Sequence, residues 1–358
     1  MIRFVVRRLL SSIPVLLGVV LLVFILARVI PGDPCRAALG ERATDAVCND
    51  FEARYGLDQP LPVQFGIYMV KLAGGDLGSS IRFGRPVADI LAERLPLTIE
   101  LTLFALTFAT FFGVILGIVS ALRRNSPTDV GTMIVANLGV STPVFVLGLL
   151  LAIVFSNWLQ DTPLRMPPSG RLTAGLSVVP LATAWGLKEL HGPLRGLLDF
   201  ASNMYLFNTL VTGQWNVFWD AVRHLILPAV AVGTIPLAII ARMTRSSLLE
   251  VLGLDYIRTA RAKGLRERLV VVRHGLRNAM LPVVTVIGLS LGALLSGAVL
   301  TESIFNLAGI GRTIVEAITG RDYIVIQGVT IVIAIGYLLV NLIVDVSYAF
   351  LDPRIRLS

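Results

Sequence analysis

Residue types able to do chemistry are few in this 358-residue chain: three lysines, three histidines and two cysteines. A phosphate-cradling loop needs close glycines ending in Gly-Lys-Ser/Thr, so that backbone N–H groups and the lysine meet the phosphates. Lys71, Lys188 and Lys263 stand in no such context, which excludes nucleotide hydrolysis by the chain itself. Hydrolysis through a side-chain nucleophile needs a base within hydrogen-bond reach. His191, His224 and His274 fall in loops or at the edges of apolar runs and supply none; His224, beside Pro228, reads as an interfacial residue. Cys35 and Cys48, thirteen positions apart, could form a disulfide on an oxidising face, closing a loop worth roughly 3 kcal/mol. Free or buried thiols are the alternative, and with no histidine nearby they make no metal set.

One basic stretch stands out, "DYIRTARAKGL", Asp255 to Leu265. Asp255 is placed to accept from the first free N–H groups of a short helix, and Gly264 to end it in a left-handed cap. Ala260 and Ala262 keep that helix slim, while Arg258, Arg261 and Lys263 give it three cations. Arg258 and Arg261 lie three apart on one face, a like-charge pair that disfavours an isolated helix by roughly 0.2–0.5 kcal/mol. Such a helix asks for an acidic partner or an anionic lipid surface.

The elements that position these residues follow from composition. With 55% hydrophobic and 15% charged residues and a mean hydropathy of +0.79, the chain lies far from the roughly 25% charged residues of soluble domains. Apolar runs long enough for a helix to cross the bilayer, about 20 residues, occur at Leu9–Ile30, Pro96–Leu122, Thr132–Trp158, Arg223–Met243, Met280–Leu300 and Ile324–Leu351. The first follows Arg3, Arg7 and Arg8 but has no small-x-small cleavage site, so it reads as an uncleaved anchor.

Two shorter runs, 172–187 and 196–211, are interrupted by polar or helix-breaking residues. A single crossing there would invert everything downstream. The positive-inside rule decides the matter. With six spans, the segments 1–8, 122–131, 242–279 and 350–358 hold 16 Lys or Arg against 5 acids, whereas 31–95, 159–222 and 301–323 hold 13 against 16. The first set is therefore assigned to the inner face, and the two short runs to a hairpin lying on the membrane or on a partner. The organisation expected is an inner N-terminus and first span (1–30), a long outer segment (31–95), and spans two and three with a short inner loop (96–158). An outer insertion (159–222) precedes the last three spans (223–351), which include an inner loop at 244–279 and an outer loop at 301–323; an inner tail (352–358) ends the chain. Cations at membrane edges without interleaved aromatics do not form a nucleic-acid surface.

Polar residues inside spans are costly in lipid and mark a bundle interior or a solute path. Asn137, Ser141 and Thr142 in the third span and Thr285, Ser290 and Ser296 in the fifth are the path candidates. Helix–helix packing is the alternative role for the hydroxyls. Asp345 and Asn341 share a face near the inner end, where Arg354 or Arg356 could neutralise the acid. Gly288 and Gly292 form a small-xxx-small face suited to close approach of another helix.

The stretch "YIRTARAKGLRERLVVVRHGLRNAMLPVVT" (256–285) resembles the cytoplasmic signature loop of ABC-importer permeases, in the form of the dipeptide, oligopeptide, nickel and glutathione group. The resemblance continues through "IPGDP" (30–34), "YGLDQPL" (55–61), "GDLGSS" (75–80), "PPSGR" (167–171), "RMTRSSLLEVLGLDY" (242–256), "TESIF" (301–305), "GIGR" (309–312), "RDY" (321–323) and "DPRIR" (352–356), and is greatest to the first permease subunit of dipeptide systems. The family's Glu-Ala-Ala-x-x-x-Gly pattern falls on Arg258, Thr259, Ala260 and Gly264, with Arg258 replacing the glutamate and Thr259 the first alanine; the later Leu-Pro falls on Leu281-Pro282. "NLAG" (306–309) stands where the group often has Asn-Trp-Pro-Gly, so no aromatic contact is carried over there.

The resemblance implies an all-α, six-span permease bundle in the cytoplasmic membrane of a prokaryote, with both termini cytoplasmic. It implies a coupling helix made of Asp255, Tyr256, Arg258, Thr259, Ala260, Arg261, Ala262, Lys263 and Gly264 that docks in a cleft of an ATPase subunit. The implied partners are a homologous second permease, two ATPase subunits, an extracytoplasmic solute-binding protein and membrane lipid. ATP and Mg are used by the ATPases, and no cofactor, metal or nucleic acid is assigned to this chain. The implied cargo is dipeptides or short oligopeptides, with nickel or glutathione as alternatives. A non-transport scaffold or sensor is the distant alternative.

Overall fold

Two long helices run side by side with their backbones nearly touching, and the rest of the chain is arranged on them. The structure is a computed structural model that describes residues 2–29, 35–36, 40, 42–187, 189–297 and 299–351. The motifs at 30–34 and 352–356, with Arg354 and Arg356, lie outside the described residues, as does the side chain of Ser296. Helix α1 is Ile2–Val29, α2 Asp45–Tyr55, α3 Leu61–Ala73, α4 Val87–Leu122, α5 Pro127–Ser141 and α6 Val144–Ile153. Then follow α7 Pro193–Ser202, α8 Tyr205–Val211, α9 Trp215–Leu252, α10 Asp255–Ala262, α11 Arg277–Gly297, α12 Val299–Ile304, α13 Ile310–Thr319 and α14 Tyr323–Leu351. No strand forms among the described residues beyond an isolated bridge between Ser79 and Pro86.

The central pair is α4 and α9. A Cβ at Gly113 would lie 2.9 Å from the Leu237 carbonyl oxygen, one at Gly117 2.6 Å from that of Ala241, and one at Gly233 2.9 Å from that of Ala105. Small residues on both partners therefore set the crossing, the packing expected where lipid supplies no hydrophobic drive between helices. Within the apolar stretch of α9, 72% of residues are buried, against 11% for α1, which places α9 at the centre and α1 at the rim. Gly288 and Gly292 of α11 meet Val344 and Tyr337 of α14, so the small-xxx-small face serves packing within the chain.

Among the described residues, five helices are long and apolar enough to cross a membrane, and a sixth apolar unit is a pair bent by 103°. The expected third span, Thr132–Trp158, takes the form of α5 and α6 on either side of Pro143. Proline disfavours helical geometry in the residue before it, and Thr142 is extended at φ −100°, ψ 127°. The fifth helical unit starts at Glu267, earlier than Met280, through a short turn and a π-helical segment Val270–Leu276 that leads into α11. Neither short apolar run forms a helix long enough to cross: 172–187 holds turns and a single helical turn, Leu181–Ala184, and 196–211 lies in α7 and α8. Asp345 pairs with Arg8 of α1 at 3.2 Å; the tail arginines expected to neutralise it lie outside the described residues. Cys35 and Cys48 are joined by a disulfide, with Cα atoms 5.4 Å apart. His224 is buried and its Nδ1 lies 2.8 Å from the Asp220 carbonyl, so it is a packed residue and not an interfacial one.

Candidate functional site

The basic segment folds as an amphipathic helix with a short elbow. Ile257 and Ala260 of α10 turn inward and pack with Val270 and Leu252, which gives the helix its anchored face. Leu254 occupies the N-cap position and makes no side-chain cap hydrogen bond, so the capping role expected of Asp255 is not taken. Asp255 sits in the first turn, where a carboxylate favours the helix dipole, and accepts from Arg258 at 3.2 Å. At the other end the Gly264 N–H donates to the Arg261 carbonyl at 2.9 Å and the Leu265 N–H to that of Ala260 at 3.4 Å. That double closure is a Schellman turn, and Gly264 takes the left-handed conformation it needs, φ +76°.

The like charges are answered inside the chain. Arg261 forms a bidentate pair with Glu267, Nε to Oε2 at 3.1 Å and Nη2 to Oε1 at 2.7 Å, across the Gly264 elbow. An acidic socket is therefore not required to relieve Arg258 and Arg261; the sequence missed Glu267 because the elbow's direction is set by Gly264. Tyr256 joins α10 to α11, its hydroxyl accepting from Asn278 at 2.7 Å and donating to the His274 carbonyl at 3.2 Å. Thr259 bonds back to the Asp255 carbonyl, while the exposed face of the helix and elbow presents Arg258, Arg261, Ala262, Lys263 and Gly264.

The same end of the bundle holds a second tie. Asp129, near the start of α5, receives Arg245 Nε and Nη2 of α9, both at 2.8 Å, with the Ser120 hydroxyl of α4 and the Asn125 amide. Ser247 adds a bond to the Ala279 carbonyl at 2.9 Å. These ties join α4, α5, α9 and α11 within a few turns of α10. Their signal in the sequence was a lone acid, Asp129, in a basic connection.

Of the path candidates, Asn137 lines a groove of about 540 Å³ between α5 and α9 with Met133, Arg242 and Ser246. Ser141 and Thr142 lie at the 103° break and return their hydroxyls to the Asn137 and Leu138 carbonyls. Thr285 and Ser290 of α11 likewise bond the carbonyls of Leu281 and Val286, and neither lines the Asn137 groove. Among the described candidates, Asn137 alone lines this groove.

At the opposite end of α4, acids and cations from distant segments interlock. Arg171 pairs with Glu100 at 2.9 Å, donates to the Asn203 carbonyl at 2.8 Å and stacks 3.5 Å from the Tyr205 ring centre. Glu100 also accepts the Leu206 N–H at 2.6 Å, so this buried pair anchors the whole 159–222 segment to α4. Glu302 is fully buried and accepts from the Thr98 hydroxyl at 2.6 Å and the Arg312 amide at 3.0 Å, at the start of α13. A Cβ at Gly309 would sit 2.4 Å from its carboxyl carbon, which explains the glycine of "GIGR". Burial pushes the Glu302 carboxyl up, against the lowering effect of the Thr98, Arg312 and Gly311 donors. Burial also raises Glu316, but hydrogen bonds from Arg94 and Arg312 outweigh it and leave that carboxyl below its ordinary value. Asp322 of "RDY", also buried, accepts from the Ser80 hydroxyl at 2.5 Å and the Arg82 amide at 3.0 Å of the 75–85 loop.

This arrangement is a transmembrane bundle with a short, packed basic helix at one end and a cross-braced cap at the other. Residues 113–357 match the family described as binding-protein-dependent transport system inner membrane component, and residues 1–102 match its membrane-component N-terminal family. The dipeptide transport system permease protein DppB of Alkalihalophilus pseudofirmus is 45% identical over 99% of this chain and 100% of its own length. The Escherichia coli protein of the same name is 43% identical over 99% of both chains. The glutathione transport system permease protein GsiC of Pectobacterium atrosepticum is 39% identical over 99% of both.

Proposed function

Because this chain belongs to the family of binding-protein-dependent transport system inner membrane components, we propose that it is the permease subunit of an ATP-driven importer of dipeptides or short oligopeptides. The observation that carries the cargo class is the 43–45% identity, over 99% of this chain, to permeases of dipeptide transport systems. A solute-binding protein delivers the peptide to a pathway shared with a homologous second permease. Two ATPase subunits close on ATP, using Mg, and push the α10 lever of each permease. Both termini and α10 face the cytoplasm, in keeping with the excess of cations on those segments.

The lever is suited to this work by its packing. Ile257 and Ala260 seat it against Val270 and Leu252, and the Arg261–Glu267 pair stiffens the elbow. A push on the exposed face is thereby passed to α9 and α11, which the Ser247 bond joins to each other, and through Arg245, Asp129 and Ser120 to α5 and α4. The segment 159–222, held by Glu100 and Arg171, is the surface offered to the solute-binding protein.

The test is ATP-dependent uptake of labelled dipeptide by the full complex in vesicles. Gly264→Pro cannot reach φ +76°, and Ala260→Glu buries a carboxylate beside Val270. Each variant should insert but lose uptake, and normal uptake by either would contradict the lever role. Deletion of 172–211 should weaken delivery while leaving ATPase assembly intact; unchanged uptake would remove the proposed contact with the binding protein. The 39% identity to a glutathione permease favours a second reading. Uptake competition between glutathione and dipeptides separates the two.

A further inference from the structure

Helix α3, "LPVQFGIYMVKLA", turns its one amide and its two aromatic rings inward and leaves an apolar face outward. At helical spacing Gln64, Phe65, Tyr68 and Leu72 share one face, and the structure turns that face toward α1. Gln64 is buried, accepts Arg28 Nε at 2.7 Å and donates to the carbonyls of Leu57 at 3.1 Å and Gln59 at 2.8 Å. Phe65 and Tyr68 meet Phe24 of α1 with ring centres 5.1 and 5.9 Å apart, and the Arg28 guanidinium lies 3.5 Å over that same Phe24 ring.

The opposite face carries Val63, Gly66, Ile67 and Val70, all exposed, with Val70 at 75%. A helix on a water-covered surface points its polar residues outward. Here the amide is spent inward, and the one charge, Lys71, sits at the flank in the last turn.

The apolar face continues the exposed apolar surface of the first span. Ile25, Leu26 and Val29 are exposed in the same last turns of α1 that hold Phe24 and Arg28. Phe24 precedes the end of α1 by five residues, roughly 8 Å along the axis. The aromatic contacts of α3 therefore reach a depth matching the roughly 5–10 Å to which interfacial helices bury their apolar faces.

We propose that α3 lies in the membrane interface with Val63, Ile67 and Val70 in contact with lipid, and that Arg28, bonded to Gln64, stands at headgroup level. This helix makes the segment after the first span a membrane-bound strap and not a free extracellular loop. The occupant is bilayer lipid, and a protein partner is the competing outcome.

The only two cysteines are joined to each other, so Val63→Cys, Ile67→Cys and Val70→Cys each add one reactive thiol for a nitroxide label. The full importer is placed in nanodiscs of phosphatidylethanolamine and phosphatidylglycerol. Collision with oxygen, which partitions into lipid, is compared with collision by a water-soluble nickel chelate. Oxygen should exceed the chelate severalfold at all three sites, and Asp58→Cys, before the helix, should show the reverse. Chelate dominance at the three sites would put the face in water, and low collision with both would put a protein on it; either result overturns the proposal. Measuring the isolated chain in the same nanodiscs tells whether such a cover comes from a partner subunit.

Discussion

Arg171→Met removes one partner of a buried ion pair and leaves Glu100 without its cation. The Glu100 side chain is 3% exposed and that of Arg171 17%, so little water can take the lost partner's place. Breaking a buried pair from one side costs about 3–5 kcal/mol. Glu100 also holds the Leu206 amide at 2.6 Å, and that N–H is a direct reporter of whether the 159–222 segment stays seated. At about 1.4 kcal/mol per factor of ten, local opening should speed hydrogen exchange at Leu206 roughly 100- to 4,000-fold. The assay is hydrogen–deuterium exchange of the protein in nanodiscs, with amides near Ile240 at the centre of α9 as the unaffected control. Glu100→Gln combined with Arg171→Met keeps an oxygen acceptor for the amide and removes the stranded charge. That double variant should return to within about tenfold of the native rate, because replacing both members of a buried pair is far milder than removing one. A change of less than about tenfold in the single variant, or equal losses in single and double, would refute the anchoring role assigned to this pair.

Two further outcomes follow from the packing and the acids. Gly117→Ala places a methyl 2.6 Å from the Ala241 carbonyl oxygen and should cost about 1–3 kcal/mol by prising α4 from α9. Thermal unfolding followed by intrinsic fluorescence tests this, with Gly18→Ala, which meets nothing within 4 Å, as the silent comparison; equal midpoints would remove the close-crossing argument. Burial holds the Glu302 carboxyl above its ordinary value, and a raised carboxyl contributes stability that is complete below its unfolded value and lost as pH rises through the folded one. The thermal midpoint should therefore decline from acid toward neutral pH by an increment that Glu302→Gln abolishes, and an unchanged slope in the variant would contradict the assignment.

Much of the site was legible because its determinants are local. The turn at Gly264 follows from a glycine at the end of a short helical stretch, and the seating of α10 from Ile257 and Ala260, three residues apart on one face. Pro143 was visible in the third apolar run and accounts for the extended Thr142, yet the run's length argued for one span, and the size of the bend, 103°, was visible only in the structure. The capping role assigned to Asp255 failed by one position, since Leu254 took the N-cap. Of the path candidates chosen for polarity, Ser141, Thr142, Thr285 and Ser290 bond carbonyls of their own helices, a solution that any Ser or Thr in a helix has at hand, while Asn137 lines a groove.

By itself the sequence determined the class of protein, the number of apolar units, the segments bearing excess cations and the position of the short basic helix α10. Each of these sums contributions residue by residue, from transfer into lipid, charge or helical period. Only the tertiary structure decided which acid meets which cation. Arg8 finds Asp345, Arg171 finds Glu100, Arg245 finds Asp129 and Arg261 finds Glu267. It also decided that Gln64 points inward and Val70 outward. Such choices depend on the depth and rotation at which helices distant in sequence cross, and those are set by contacts such as Gly113, Gly117 and Gly233 against facing carbonyls, which no local pattern encodes.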